Sequence, residues 1–536
     1  MQILSRFAQA DCLPLLRRLW VLLIAALQDA SADQGLFARV LRGLVYTSFS
    51  SYVVYVCNLL ASVLLARLLA PEVFGSVAMA GTLVAICGLV RQLGFDAALL
   101  QRRDMSRNVA ATHLSLNLVT SLVLMAFGIV ISPLVARFYD QKIAALFLCF
   151  LALSIVDAFS GHANILLQKH LIFHSTSLIT ALASCIGSGV ALILAWTGAG
   201  AWALLAGDAT NRLLSAILLW KVCPDRPGLR DVRWNLEEIR WFLRFGPWWA
   251  SLLSSIALFA ILQFDNFLVG TIAGSAALGF YSRAYNWATL PTARVTWVIS
   301  SVAQPVYARL QGDRIRLSQA FNASLTAITR LSFLFAVVML VLAEDAVRLV
   351  IGERWLPLVP ILQWFSLYAV LRPLSDDLGA VFAMSGRMRI ANLAGICQAA
   401  GLALALPPAI ITFGASGAAA VVGLSYACML GYLYGKRLPE FIDTRYRSVF
   451  LPPLAAGLIA GAAGFGISLR LPAGEIVTAL IKFFVILTVY LGVLAVLEGR
   501  ELSRQCKLVF RTFRIGSSSS DQSLIRVAPG ESPGLR

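Results

Sequence analysis

Residues 112–136 read THLSLNLVTSLVLMAFGIVISPLVA, a run without Asp, Glu, Lys or Arg that ends at Arg137. A hydrocarbon core of roughly 30 Å is crossed by a helix of about 20 mainly apolar residues. This run is long enough, and its ends are basic. It reads as a membrane span.

Runs of the same kind recur on both sides of it, broken by charges or by Gly and Pro. They lie near 45–69, 75–99, 112–136, 143–167, 176–197, 201–222, 246–272, 279–304, 322–350, 357–383, 389–412, 416–436, 449–469 and 475–497. The fold class expected is therefore all-α and polytopic, with about 14 transmembrane helices. Composition agrees: 59% of the 536 residues are hydrophobic and 13% charged, about half the charge of a soluble domain.

The net charge of +17 is distributed as membrane topology requires. With the N-terminus inside, the predicted inside loops hold Arg102, Arg103, Arg107, Lys169, Lys221, Arg226, Arg230, Arg233, Arg240 and Arg244, then Arg309, Arg314, Arg316, Arg387, Arg389, Lys436, Arg437, Arg445 and Arg447. The outside loops hold only Arg137, Lys142, Arg348, Arg354 and Arg470. That asymmetry predicts an even span count and both termini cytoplasmic. No surface is left for nucleic acid. Nine cysteines form no CxxC, and four histidines form no HExxH, so thiol frameworks and zinc motifs are not indicated. Three predicted outside turns (197–201, 271–278 and 413–417) are uncharged and rich in small residues, and none of the outside loops exceeds about fifteen residues.

Residues 1–43 lack a signal-peptide cleavage site and read as a cytoplasmic extension, an amphipathic helix or an untranslated leader. Residues 44–222 form a first lobe, 223–245 a basic cytoplasmic inter-lobe loop, 246–497 a second lobe, and 498–536 a Ser-rich cytoplasmic tail expected to be disordered. An internal echo supports two related halves. LLARLLAPEVFGSVAMA (64–80) and LVGTIAGSAALGFYSRA (268–284) each end one span and start the next, with Gly75 matching Gly279.

Those segments carry a family resemblance. LARLLAPEVFGSVAMA (65–80), LVRQLGFDAALLQRRD (89–104), LLQKHLIF (166–173), RWFLRFGPW (240–248), FDNFLVGTIAGSAALGFYSRAYN (264–286), QPVYARLQGD (304–313), VRLVIGERWLPLVPILQ (347–363) and LRPLSD (371–376) occur in order over about residues 45–390. This pattern resembles the Wzx-type polysaccharide transporters of the multidrug/oligosaccharidyl-lipid/polysaccharide exporter superfamily. The resemblance implies two pseudo-symmetric lobes of seven spans around a central cavity, in a bacterial inner membrane. It also implies the flipping of undecaprenyl-diphosphate-linked oligosaccharide for exopolysaccharide or lipopolysaccharide biosynthesis. The partners implied are that lipid-linked substrate and membrane lipids, with a polysaccharide polymerase and a chain-length regulator as pathway neighbours, and the chain is expected to act as a monomer.

Flipping breaks no bond, so no catalytic residue is sought. A diphosphate needs cations, best the planar fork of Arg, and charges at mid-bilayer belong beside a cavity or a partner. The cavity candidates are Arg91, Asp265, Arg283, Arg294, Arg372 and Asp376, with Tyr285 and Trp287 beside Arg283 for sugar stacking. Against these stand structural readings: headgroup snorkelling for Arg91, an Asp265–Arg283 ion pair, and a local Asp208–Arg212 pair. Lys482 reads as structural. No cofactor or metal is expected. The membrane potential, worth roughly 4–5 kcal/mol per 100 mV for two charges, or an H+ or Na+ antiport would supply the drive. A drug/cation antiporter would favour acidic residues in the cavity, and a polymerase or ligase would need a large outside loop.

Overall fold

The computed structural model describes residues 36–91, 95–102, 106–170, 172–223, 236–245, 256, 259–470 and 474–515. Among these no strand occurs. The helices are α1 (Leu36–Leu68), α2 (Pro71–Arg91), α3 (Phe95–Gln101), α4 (Arg107–Phe138), α5 (Gln141–Lys169), α6 (Phe173–Trp196) and α7 (Ala201–Val222). They continue with α8 (Leu236–Phe245), α9 (Phe264–Ile272), α10 (Gly274–Arg309), α11 (Arg314–Ala346), α12 (Leu358–Met384), α13 (Met388–Tyr432), α14 (Tyr446–Ser468) and α15 (Ile476–Ile515).

Nine of the described helical segments are long and apolar enough to cross a membrane. The predicted spans fall on helices throughout, with three adjustments. Span 75–99 is α2 followed by the separate short α3. The spans at 389–412 and 416–436 form one run, α13, broken at Gly414, whose φ of 62° is left-handed and costs little without a Cβ. Residues 246–255 of the seventh span lie outside the described residues. So do most of the extension (1–35), part of the inter-lobe loop (224–235) and the tail from 516. The tail also starts later than expected at 498, because α15 stays helical to Ile515. Arg500, Arg504, Lys507 and Arg511 recur there at helical spacing.

Large apolar side chains stand outward on these helices: Val130 is 77% exposed, Leu404 80% and Val496 85%. Polar ones such as Thr112, His113, Ser121, Asp345, Asp377 and Lys482 are buried. A water-soluble protein has the reverse arrangement; hydrocarbon demands this one, because every polar group must be satisfied internally.

The chain folds as two compact units. The first comprises Met1–Ala284, Val350–Ile361 and Gly395–Ser425, the second Tyr285–Leu349, Leu362–Ala394 and Tyr426–Arg536. In the first unit, α9 and the opening turns of α10 pack on α2. The approach there is backbone to backbone. A Cβ on Gly75 would sit 1.6 Å from the Ser275 carbonyl oxygen, and one on Gly279 would sit 2.1 Å from that of Pro71. Gly187 and Gly207 serve the crossing of α6 and α7 in the same way. Small residues at crossings are how helices associate where no hydrophobic force operates between them.

In the second unit Lys482 of α15 is fully buried. Its Nζ donates to Asp345 Oδ2 at 2.7 Å, and the Gly474 N–H donates to Asp345 Oδ1 at 3.0 Å. The Arg330 guanidinium grips Glu498 through both of its oxygens. These pairs clamp α11 to α15.

Gly75→Ala and Gly279→Ala should each leave little folded protein in membrane fractions on immunoblots, because the helices would have to separate. Gly81→Ala, which meets open space, should express normally. Asp345→Asn or Lys482→Met alone leaves an unpaired buried polar or charged group and should cost about 3–5 kcal/mol. The apolar double replacement Asp345→Leu/Lys482→Met should recover most of the melting temperature.

Candidate functional site

On α12, Tyr368, Arg372 and Asp376 follow one another at four-residue spacing and so share one face. Arg372 Nε donates to Asp376 Oδ1 at 3.1 Å. Its Nη1 donates to the hydroxyl oxygens of Tyr368 at 3.2 Å and of Tyr426, on α14's side of the Gly414 break in α13, at 3.1 Å. The Tyr368 hydroxyl also lies 3.1 Å from that of Tyr285 on α10. The rings hold the set rigid: Tyr426 meets Tyr368 edge-on at 5.0 Å, and Tyr285 packs 5.6 Å from Phe365.

Tyr368 and Tyr426 are buried, whereas the Arg372 and Asp376 side chains are 29% and 41% exposed. Among the described residues, Arg372 Nη2 has no partner. The second unit thus presents one edge of a guanidinium whose other edge is locked by a carboxylate and two phenols. Such a group can accept one anionic oxygen without rearranging.

The next residue, Asp377, points elsewhere. It is fully buried and accepts from the Tyr307 hydroxyl at 3.0 Å, while its Oδ2 has no partner among the described residues. Of the adjacent carboxylates the sequence favours Asp376, and only the structure separates their environments.

In the first unit the Asp265–Arg283 ion pair, the structural alternative to a cavity role, does not form. Asp265 is buried in the first turn of α9, where its Oδ2 accepts from the Tyr281 hydroxyl at 2.7 Å and its Oδ1 from the Asn266 N–H at 2.8 Å. Arg283 Nη1 donates to Ser62 Oγ at 2.7 Å, and the guanidinium stacks 3.9 Å from the centre of the Phe74 ring. Asp265 and Arg283 are eighteen residues apart across the α9–α10 turn. Tyr281, two residues before Arg283, takes the carboxylate first. Among the described residues no carboxylate lies within salt-bridge distance of Arg283.

Phe74 is itself anchored. Its ring lies 5.5 Å from that of Trp355, and Phe280 reaches the other side of that indole at 5.8 Å. Trp355 Nε1 and Arg354 Nη2 donate to the Ala66 carbonyl at 2.8 and 3.1 Å, while Arg67 Nε donates to the Val350 carbonyl at 2.7 Å. The GERW stretch thereby caps the carbonyl end of α1, which would otherwise be unsatisfied in a dry place.

The remaining candidates divide plainly. The Asp208–Arg212 pair forms at 2.7 Å, and Arg212 also holds Asp157. Tyr285 joins the Arg372 cluster, whereas Trp287 is partly buried outside it. The Arg91 and Arg294 side chains lie outside the described residues. Sequence reasoning misses Tyr426, which is 54 residues from Arg372, and no local spacing announces it.

The fold and these clusters define a class: a polytopic α-helical membrane protein whose ionisable side chains are turned inward and mostly paired. The chain belongs to the polysaccharide biosynthesis protein family, which matches residues 64–360. It is 25% identical over 443 residues to the teichuronic acid biosynthesis protein TuaB of Bacillus subtilis, covering 80% of this chain and 89% of that one. It is 28% identical over 315 residues to the succinoglycan biosynthesis transport protein ExoT of Rhizobium meliloti, covering 58% and 63%. The lipid II flippase MurJ in its inward closed conformation shares the fold, with a TM-score of 0.69 at 13% identity over 85% of this chain and 99% of that one.

Tyr426→Phe and Arg372→Lys should not be additive. Each breaks the same Nη1 contact, so a double-mutant cycle on thermal unfolding should show coupling of about 0.5–3 kcal/mol. Additive effects would dissolve the cluster.

Proposed function

We propose that this chain is a flippase that moves a lipid-diphosphate-linked oligosaccharide repeat unit from the inner to the outer leaflet of a bacterial inner membrane. Family membership, the transport named for one relative and the flippase fold support the class. The observation that carries the substrate chemistry is Arg283, a partly buried guanidinium resting on a hydroxyl and a ring. The described intramembrane cations Arg212, Arg330, Arg372 and Lys482 each have a carboxylate partner instead. A cation kept in hydrocarbon without a counter-ion is costly, and an anionic ligand would lift that cost on binding. Arg372, in the second unit, keeps Nη2 unpartnered among the described residues and offers an anion contact of its own.

Flipping so read breaks no covalent bond, so the chain is not an enzyme and needs no cofactor. Outward movement of a diphosphate runs down an inside-negative potential. The alternation of basic loops supports both termini being cytoplasmic, and the working unit is read as a monomer. A polymerase and a chain-length regulator would take the repeat unit onward.

A deletion strain should lose its surface polysaccharide and accumulate lipid-linked repeat units that cytoplasmic-side labelling detects. Wild-type chain should restore both; Arg283→Ala should restore less than about a tenth at equal membrane level, and Arg283→Lys an intermediate amount because it keeps the charge and loses the fork. Undiminished polysaccharide in the deletion strain would end this reading.

A further inference from the structure

The first unit contains a second set of ionisable groups that the flipping of a diphosphate does not use. His113 of α4 and His162 of α5 are 0% and 1% exposed, and their Nδ1 atoms lie 2.9 Å apart. On its other side, His113 Nε2 lies 3.0 Å from Asp96 Oδ1. Asp96, in the first turn of α3, is 65% exposed. At the opposite end of the set, His162 Nε2 is buried with no partner among the described residues. The groups therefore run from an accessible carboxylate, through two imidazoles, to an unpartnered ring nitrogen.

The bonding fixes the protons. A neutral imidazole has one N–H. With His113 Nε2–H donating to the Asp96 carboxylate, His113 Nδ1 must accept, so His162 Nδ1–H donates and His162 Nε2 keeps a bare lone pair. This tautomer assignment follows from the contacts. We propose that Asp96, His113 and His162 form a binding site for a single proton. A proton taken up at His162 Nε2 makes that ring an imidazolium. Its Nδ1 proton can then pass to His113 Nδ1, which puts the positive charge across the 3.0 Å contact from the Asp96 carboxylate. One proton enters, none is lost, and the N–H···N bond becomes a charge-assisted one.

Two uncharged rings flank the imidazoles. Trp220 of α7 lies 6.1 Å from the His162 ring and Phe242 of α8 lies 5.9 Å from the His113 ring, both uncharged. Asn117, one turn along α4, reaches His113 Nε2 at 3.2 Å and bonds the His113 carbonyl. Several charged groups on the neighbouring elements have partners of their own. Arg102 holds Glu238 of α8, Lys169 of α5 donates to the Leu99 carbonyl at 3.0 Å, and Arg212 of α7 holds Asp157 and Asp208. Glu72 is in the first turn of α2, at the opposite end of that helix from Arg91, after which α3 follows. Helix α6 contributes no Asp, Glu, Lys or Arg.

The site is distinct from Arg283 and Arg372, so its test is independent of transport. Potentiometric titration of the purified full-length chain in detergent measures proton uptake. Wild type minus the double variant His113→Gln/His162→Gln should give about one proton. Asp96→Asn, compared at matched melting temperature, should bind that proton more weakly, on the order of tenfold. A flat difference curve for the double variant, or an unchanged midpoint in Asp96→Asn, would overturn the proposal.

Discussion

The meeting of α2 and α10 at Gly75 and Gly279 is where the first unit is decided. Backbone carbonyls of one helix lie where a Cβ of the other would be, so the two axes approach as closely as helices can. Phe74 precedes one glycine and Arg283 follows the other by one turn. The crossing therefore delivers the guanidinium onto the ring, 3.9 Å from its centre. The same register places Phe280 on Trp355, whose indole caps α1 at the Ala66 carbonyl. A methyl group at either glycine would not merely loosen a contact; it would withdraw the ring from beneath the charge. Position of the cation and packing of the helices are one constraint.

The second constraint is the hydrocarbon itself. The nine segments that pass as apolar spans omit α7, α9, α10 and α12. Those four bear Asp208 and Arg212, Asp265, Arg283 and Arg294, and Arg372, Asp376 and Asp377. A helix can hold such residues only where neighbours shield them from lipid. The apolar helices α1, α4, α6, α13, α14 and α15 correspondingly expose Leu, Ile and Val outward.

Much of this was legible in the chain, and the misses share a physical origin. Span positions follow from apolar run length, a local property, and the tight turns follow from Gly198, Gly200, Gly274 and Gly414, all with positive φ. Gly75 and Gly279 stand out as an echo of sequence, but only the fold shows that they touch each other. Pairings four residues apart, such as Asp208–Arg212, can be read from helix geometry. Pairings across helices cannot: Asp265 chooses Tyr281 over Arg283, Lys482 chooses Asp345 over 137 residues, and His113 meets His162 over 49. The α15 extension shows the converse error, in which a basic, Ser-flanked segment reads as disordered although its charges recur at helical spacing.

The intramembrane cations can be ranked by what neutralises them at rest. Lys482 and Arg330 are held against single carboxylates and bridge two helices; removing either partner strands a charge, which marks them as structural. Arg212 is shared by two carboxylates and carries a local excess of negative charge. Arg372 is balanced by Asp376 yet keeps Nη2 open, because two phenols and the carboxylate occupy only its Nη1 and Nε edges. Arg283 has no carboxylate among the described residues, and a ring quadrupole returns only about 0.5–2 kcal/mol. That is less than the cost of on the order of 3 kcal/mol for a mid-bilayer charge on insertion scales. Arg283 is thus the described intramembrane cation that the resting structure compensates least, and it is the one that the helix crossing holds in place.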